Sequence, residues 1–293
     1  MQNYTQRLTQ IKSLLSTDRL FSLKRAMDFA SDYIDENDEQ KLSIKNTLVE
    51  LKQKDFSDDE LLEILSQIKE PYNKKQNDNE LDSKVSSQTL VFEANNITKI
   101  YKKAFEFELE PISFELNFNQ ITSLVGQNAS GKTTIMRIVS GELLHNEGAT
   151  SYPYLKEVLN IEEDSWYEKK KNIFFIPQDL PKWAGKLIDN LYFLLAVRGK
   201  KEQEIIDEVD FMLHRLDLEK FKDASWDEIS GGYKMRFTLA KALLSQPKLL
   251  VLDEPLANLD INTQKLFLQD LKDCRLITYC WLDLSCILLQ SVC

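Results

Sequence analysis

The sequence predicts an α/β domain with a largely parallel sheet, preceded by a small all-helical region and a polar linker. Three observations carry that expectation. Apolar residues up to about residue 70 recur at spacings of three and four, the pattern of one helix face. From Leu90 the pattern changes to alternation, the spacing of a strand with one buried face. Beyond Gly126, short apolar strands and longer helical periods take turns, and all eight glycines of the chain lie at or after that residue.

Taken in order, Leu8, Ile11, Leu14 and Leu15 mark a first helix, and Leu20, Leu23, Met27 and Ala30 a second. Leu48 and Leu51 continue the pattern. Ser57 followed by Glu60, just ahead of Leu61, Ile64, Leu65 and Ile68, is the reciprocal pair that caps a helix start. Residues 1–70 hold no glycine, tryptophan or cysteine and read as a helical docking or regulatory module. Residues 71–88 are polar and aperiodic, a linker. Leu90, Phe92, Ile97 and Ile100, then Phe105, Phe107, Leu109, Ile112, Phe114 and Leu116, read as strands, and Ile121 to Val125 as a short strand ending at glycine. No repeat of 20 to 50 residues is visible.

Composition narrows the function. Apolar residues make up 43% and charged residues 29%, a globular balance. With 37 Lys and Arg against 47 Asp and Glu, the net charge of -10 excludes broad nucleic-acid binding. No apolar run approaches the roughly 18 residues of a membrane helix, and Met1 to Thr9 lacks the apolar core of a secretion signal, so a membrane role requires a partner. Cys274, Cys280, Cys286 and Cys293 all lie at the end, without a C-x-x-C pair; zinc fits them poorly, and the cysteine-free remainder fits a reducing compartment.

Gly126 to Thr134 reads G-Q-N-A-S-G-K-T-T, a complete G-x-x-x-x-G-K-[ST] loop between a strand and a helix. Gly126 and Gly131 let the backbone turn so that the N–H groups of Gln127, Asn128, Ala129 and Ser130 line a phosphate cradle. The following helix adds the positive end of its dipole. The Lys132 ammonium reaches the β and γ phosphates, and Thr133, followed by Thr134, offers a hydroxyl to magnesium. Such a loop needs a carboxylate for the metal, and Asp253 with Glu254 ends the apolar strand Leu249–Leu252. Asp253 fits the metal ligand and Glu254 a group that orients or deprotonates water. Ser230, Gly231 and Gly232 open another helix as a second anion-receptive end, which suggests a nucleotide held by another subunit.

That order, with Gln178 between the loop and S-G-G and Leu259-Asp260 after D-E, resembles the ATP-binding-cassette (ABC) ATPases over residues 89–273. The resemblance implies a P-loop NTPase core with an antiparallel β subdomain and a helical subdomain at about 180–228. It implies that Tyr101 stacks on adenine, that Gln178 contacts magnesium or water, and that Asp260 communicates across a dimer. It further implies ATP and Mg2+ as ligands, a second ABC ATPase subunit and a transmembrane permease as partners, and a cytoplasmic location at the inner membrane face. The expected activity is ATP hydrolysis that drives membrane-subunit motion through dimerisation. The alternative is a regulatory or soluble family module with little turnover.

Three departures stand out. Ala129 replaces a glycine common in these loops, which is tolerable at negative φ. Tyr233 stands where glutamine is usual. The family's switch histidine has no counterpart: His145 and His214 both precede Asp253, and Trp281 lies nearest the expected place. Residues 274–293 therefore read as an atypical tail, either from a shifted frame or a truncated chain or as a real but divergent end, and the missing histidine makes weak hydrolysis with retained ATP binding the expected consequence.

Overall fold

The computed structural model describes residues 4–15, 19–33, 40–68, 89–101, 107–118, 120–162, 165–256, 259, 261, 264, 267–268, 271 and 278–282. Along the chain come the helices α1 (Tyr4–Leu15), α2 (Arg19–Tyr33), α3 (Gln40–Gln53) and α4 (Asp58–Gln67). Strands β1 (Leu90–Tyr101), β2 (Phe107–Asn117) and β3 (Ile121–Leu124) precede helix α5 (Lys132–Val139) and strand β4 (Glu147–Ser151). Helix α6 (Trp166–Asn172), strand β5 (Ile173–Ile176) and helices α7 (Leu187–Val197), α8 (Glu202–Arg215) and α9 (Gly231–Leu244) follow. Strands β6 (Leu249–Asp253) and β7 (Thr278–Leu282) are the last described elements.

The chain divides into two compact units, one of residues 79–181, 245–259 and 276–293, the other of residues 1–78, 182–244 and 260–275. The first unit carries both sheets. β2, β1 and β4 pair antiparallel in that order, and β3, β7, β6 and β5 form a parallel sheet. Every residue of β6 is buried, as expected for a strand inside a parallel sheet, and its apolar run packs with Ile135, Met136 and Val139 of α5. The strands leave their C-terminal ends on one edge, where β3 runs into the glycine loop, β5 leads to Gln178 and β6 ends at Asp253. An open α/β sheet binds ligands at that edge. Within the segment after residue 273, Thr278–Leu282 supplies an inner strand, with Trp281 in register with both Leu252 and Ser123. Residues 283–293 lie outside the described residues.

The second unit is helical. Phe29, Leu48, Leu51, Leu61 and Leu65 of the N-terminal helices share one core with Phe211 of α8. The cap predicted for α4 forms in both directions: Ser57 Oγ accepts from Glu60 N–H at 3.2 Å, and Glu60 Oε2 accepts from Ser57 N–H at 2.7 Å. Trp183 stacks on Trp226 with ring centroids 5.1 Å apart. His214 is buried, with Nδ1 2.9 Å from the Asp210 carbonyl, which accounts for it as a structural residue of α8.

Candidate functional site

The glycine loop leaves β3 and ends at Gly131, whose φ of +91° makes it the left-handed cap of α5. A Cβ at Gly131 would lie 2.8 Å from Phe107 Cζ and 2.9 Å from Leu109 Cδ1, so both conformation and space disfavour a side chain. Among the described residues no side chain caps α5, which leaves the N–H groups of its first turn for a ligand to satisfy. Ala129 corrects the expectation drawn from sequence. Its φ is +62°, in the region where an L residue costs about 1–2 kcal/mol, so the glycine-to-alanine departure carries strain after all.

Lys132 is buried and folds back over the loop, its Nζ donating to the carbonyls of Gly126 (2.8 Å) and Gln127 (2.6 Å). A cavity of about 540 Å³ lies against this loop. Its lining includes Asn128, Ala129, Gly131, Lys132, Thr133 and Thr134 from the loop and α5, with Tyr101, Gln178 and Glu254 around them. Phe107, read from sequence only as a strand residue, also lines it, with its ring 6.2 Å from that of Tyr101. Alternation placed Phe107 in a strand, but nothing local showed that the hairpin turns it towards Gly131.

Gln178 and Glu254 meet. Gln178 Nε2 donates to Glu254 Oε2 at 2.7 Å, although the residues are 76 positions apart. Glu254 adopts φ +47°, an uncommon conformation for a non-glycine residue and one that marks functional positions more often than chance. Asp253 beside it is buried, and among the described residues neither carboxylate oxygen has a hydrogen-bond partner. Burial, reinforced by the Glu254 charge, pushes its pKa up; the Thr133 hydroxyl and the Lys132 ammonium act in the opposite direction.

A buried carboxylate without a partner, close to a hydroxyl and a second carboxylate, fits a divalent cation that takes oxygen ligands. The native state binds the Asp253 proton more tightly than the unfolded chain does, so this group costs stability as pH rises from the ordinary carboxylate range through the raised value. Asp253→Asn is therefore expected to stabilise the metal-free chain at neutral pH. It should also remove the thermal shift given by Mg2+, and a shift retained in this variant would place the cation elsewhere.

Ser230 and Gly231 are exposed at the start of α9, in the helical unit, and a Cβ at Gly231 would meet nothing within 4 Å among the described residues. Gly232 follows in the first turn. Tyr233 is used structurally, its ring 4.2 Å from that of Phe221. Asp260 lies outside the described residues.

Residues 109–257 match the family described as ABC transporter. A molybdate/tungstate import ATP-binding protein of Pyrococcus abyssi is 33% identical over 60% of this chain and 49% of its own length. A probable iron chelatin transport ATP-binding protein of Helicobacter pylori is 33% identical over 63% of this chain and 72% of its own length. A cholesterol transporter of Rattus norvegicus is 36% identical over 62% of this chain, which spans only 11% of that protein. Among solved structures, part of the cbiONQ ABC transporter complex from Clostridium perfringens aligns with a TM-score of 0.55 at 24% identity, over 67% of this chain and 78% of that one. A dimeric ATP-binding cassette in a post-hydrolysis state, bound to ADP and Pi, aligns with a TM-score of 0.57 at 22% identity, over 65% of this chain and 86% of that one. At those identities the structural likenesses speak to the fold, which they share. With residues 109–257, half the chain, within the family match, the chain belongs to the ABC transporter family.

Proposed function

We propose that the chain binds and hydrolyses ATP as the nucleotide-binding subunit of an ABC transporter. The observation that carries this reading is the convergence, at one edge of the parallel sheet, of the glycine loop, the unpartnered Asp253 carboxylate and the Gln178–Glu254 pair around a single cavity. In this reading Lys132 gives up the carbonyls of Gly126 and Gln127 to turn its ammonium to the β and γ phosphates, while the N–H groups of residues 127–133 bind phosphate oxygens. Tyr101 and Phe107 offer aromatic surface to the base. Glu254 holds and polarises the attacking water, and Gln178, bonded to it, fixes its orientation. Mg2+, held by Thr133 and Asp253 with Gln178 beside them, would neutralise charge on the phosphates.

Ser230, Gly231 and Gly232 would complete the site of a second cassette, so the working unit is a head-to-tail pair of this chain with itself or with a sister subunit. No helix among the described residues is long and apolar enough to cross a membrane. A permease partner would therefore supply the membrane path, with this subunit at the cytoplasmic face. The names of the Pyrococcus and Helicobacter relatives, both ATP-binding proteins of transport systems, favour this over a regulator without turnover. Equilibrium dialysis tests the core of it: the purified chain should retain ATP at micromolar concentrations in the presence of Mg2+, and failure to retain any would overturn the assignment.

A further inference from the structure

The N-terminal helices do more than abut the helical unit, because their charges close its internal network. Past Arg215 the chain leaves helix α8 through Asp217, at φ +52°, whose N–H reaches the His214 carbonyl at 3.3 Å, and that carbonyl has a lone pair for a further donor. Lys52 of α3 supplies one: its Nζ donates to the His214 carbonyl and to Asp217 Oδ1, 2.5 Å away, and lies 3.7 Å from Glu219 Oε1. A cation at a helix C-terminus is favourable in itself. Neighbouring contacts reinforce the seat, with Gln53 Nε2 3.3 Å from His214 Nε2 and the Lys45 ammonium 4.7 Å above the Phe211 ring. Burial alone would raise the Asp217 pKa, but Lys52, with Lys24 and Arg236 behind it, outweighs burial and holds the carboxyl below its usual range.

The other oxygen of Asp217 faces α9. Asp217 Oδ2 is 3.6 Å from Nη2 of Arg236, a buried guanidinium whose Nε and Nη2 have no hydrogen-bond partner among the described residues. Removing the carboxylate would leave a buried cation uncompensated, a cost that a movement of α9 would relieve. Arg236 stands five residues after Gly231 on the same helix, so a shift at Arg236 moves the S-G-G end with it.

We propose that the N-terminal helices position the S-G-G helix, Lys52 acting through Asp217 and Arg236, and so set how strongly two copies pair around ATP. This inference rests on the reading of S-G-G as a contact to the nucleotide of a second cassette. Lys52 and Asp217 are positioning residues and touch no ligand.

The test uses the full chain in a Glu254→Gln background, where slowed turnover should let ATP-bound pairs accumulate, with pairing followed by sedimentation and single-chain ATP affinity by dialysis. Asp217→Asn is the informative variant, because asparagine tolerates the left-handed conformation while removing the charge. It should weaken ATP-driven pairing about fivefold, as should Lys52→Ala, with single-chain ATP affinity within about twofold of the parent, and Lys52→Arg should restore pairing. Unchanged pairing in Asp217→Asn overturns the inference, and so does an equal loss of pairing and single-chain affinity, which would mark a general folding defect. A Glu254→Gln parent that binds ATP without pairing overturns the head-to-tail reading together with it, and one that binds no ATP overturns the proposed function itself.

Discussion

Replacing Glu254 with glutamine is expected to lower ATP turnover by about 10²–10⁴-fold while single-chain ATP affinity changes by no more than a few-fold. The two readouts separate because the groups that hold phosphate and those that act on water lie on different elements. Lys132 and the first turn of α5 belong to the glycine loop, whereas Glu254 follows β6. Glutamine has nearly the same shape and keeps an oxygen to accept from Gln178, so the 2.7 Å contact can persist. What disappears is the negative charge that would draw a proton from water. The φ of +47° costs glutamine about as much as glutamate, so the melting transition should move little, within about 0.5 kcal/mol. Phosphate release at saturating ATP, compared with dialysis of the same preparation, decides the matter. Turnover retained at the wild-type level would move the water-activating role to another residue, and loss of affinity in step with turnover would make Glu254 a binding group.

How much of this was legible in the sequence follows the range of the interactions. The capping pair Ser57–Glu60 and the loop from Gly126 to Thr134 are local chemistry, and both could be read directly. Asp253 was readable for a related reason: a carboxylate ending an apolar strand in an α/β chain falls on the ligand-binding edge. The sign of φ at Ala129 was not, because alanine carries no signal for a left-handed position, and there the expectation failed. Phe107 was seen as a strand residue, but its place in the cavity depends on the pairing Tyr101↔Phe107 across the hairpin. The order β3-β7-β6-β5 puts a segment written off as a tail between strands far upstream, and the alternation of apolar residues says nothing about neighbours. The Lys52–Asp217 bridge joins residues 165 positions apart. A lysine on a polar helix stripe looks the same in sequence whether it meets water or the end of another helix.

Gly131→Ala is expected to leave the chain folded and to reduce ATP affinity by at least about 100-fold. Two costs add at this position. Alanine at φ +91° is strained by about 1–3 kcal/mol, and its Cβ, 2.8 Å from Phe107 Cζ and 2.9 Å from Leu109 Cδ1, presses on β2. Leu109 is buried, so it cannot swing into solvent, and overpacking of this kind costs about 1–3 kcal/mol more. A domain with about 5–15 kcal/mol of stability survives such a sum, but the loop can relieve it by rearranging, since most of its residues are exposed. Rearrangement displaces the first turn of α5 and takes Lys132 with it, which disperses the donors that phosphate needs. With each 1.4 kcal/mol worth about tenfold in affinity, loss of two or three such hydrogen bonds accounts for the expected fall. Calorimetric melting beside dialysis of the same variant reads both parts. An affinity near wild type in Gly131→Ala would mean that the loop binds without the left-handed cap, and the cradle would then have to be assembled from the Thr133 and Thr134 side chains rather than from the backbone.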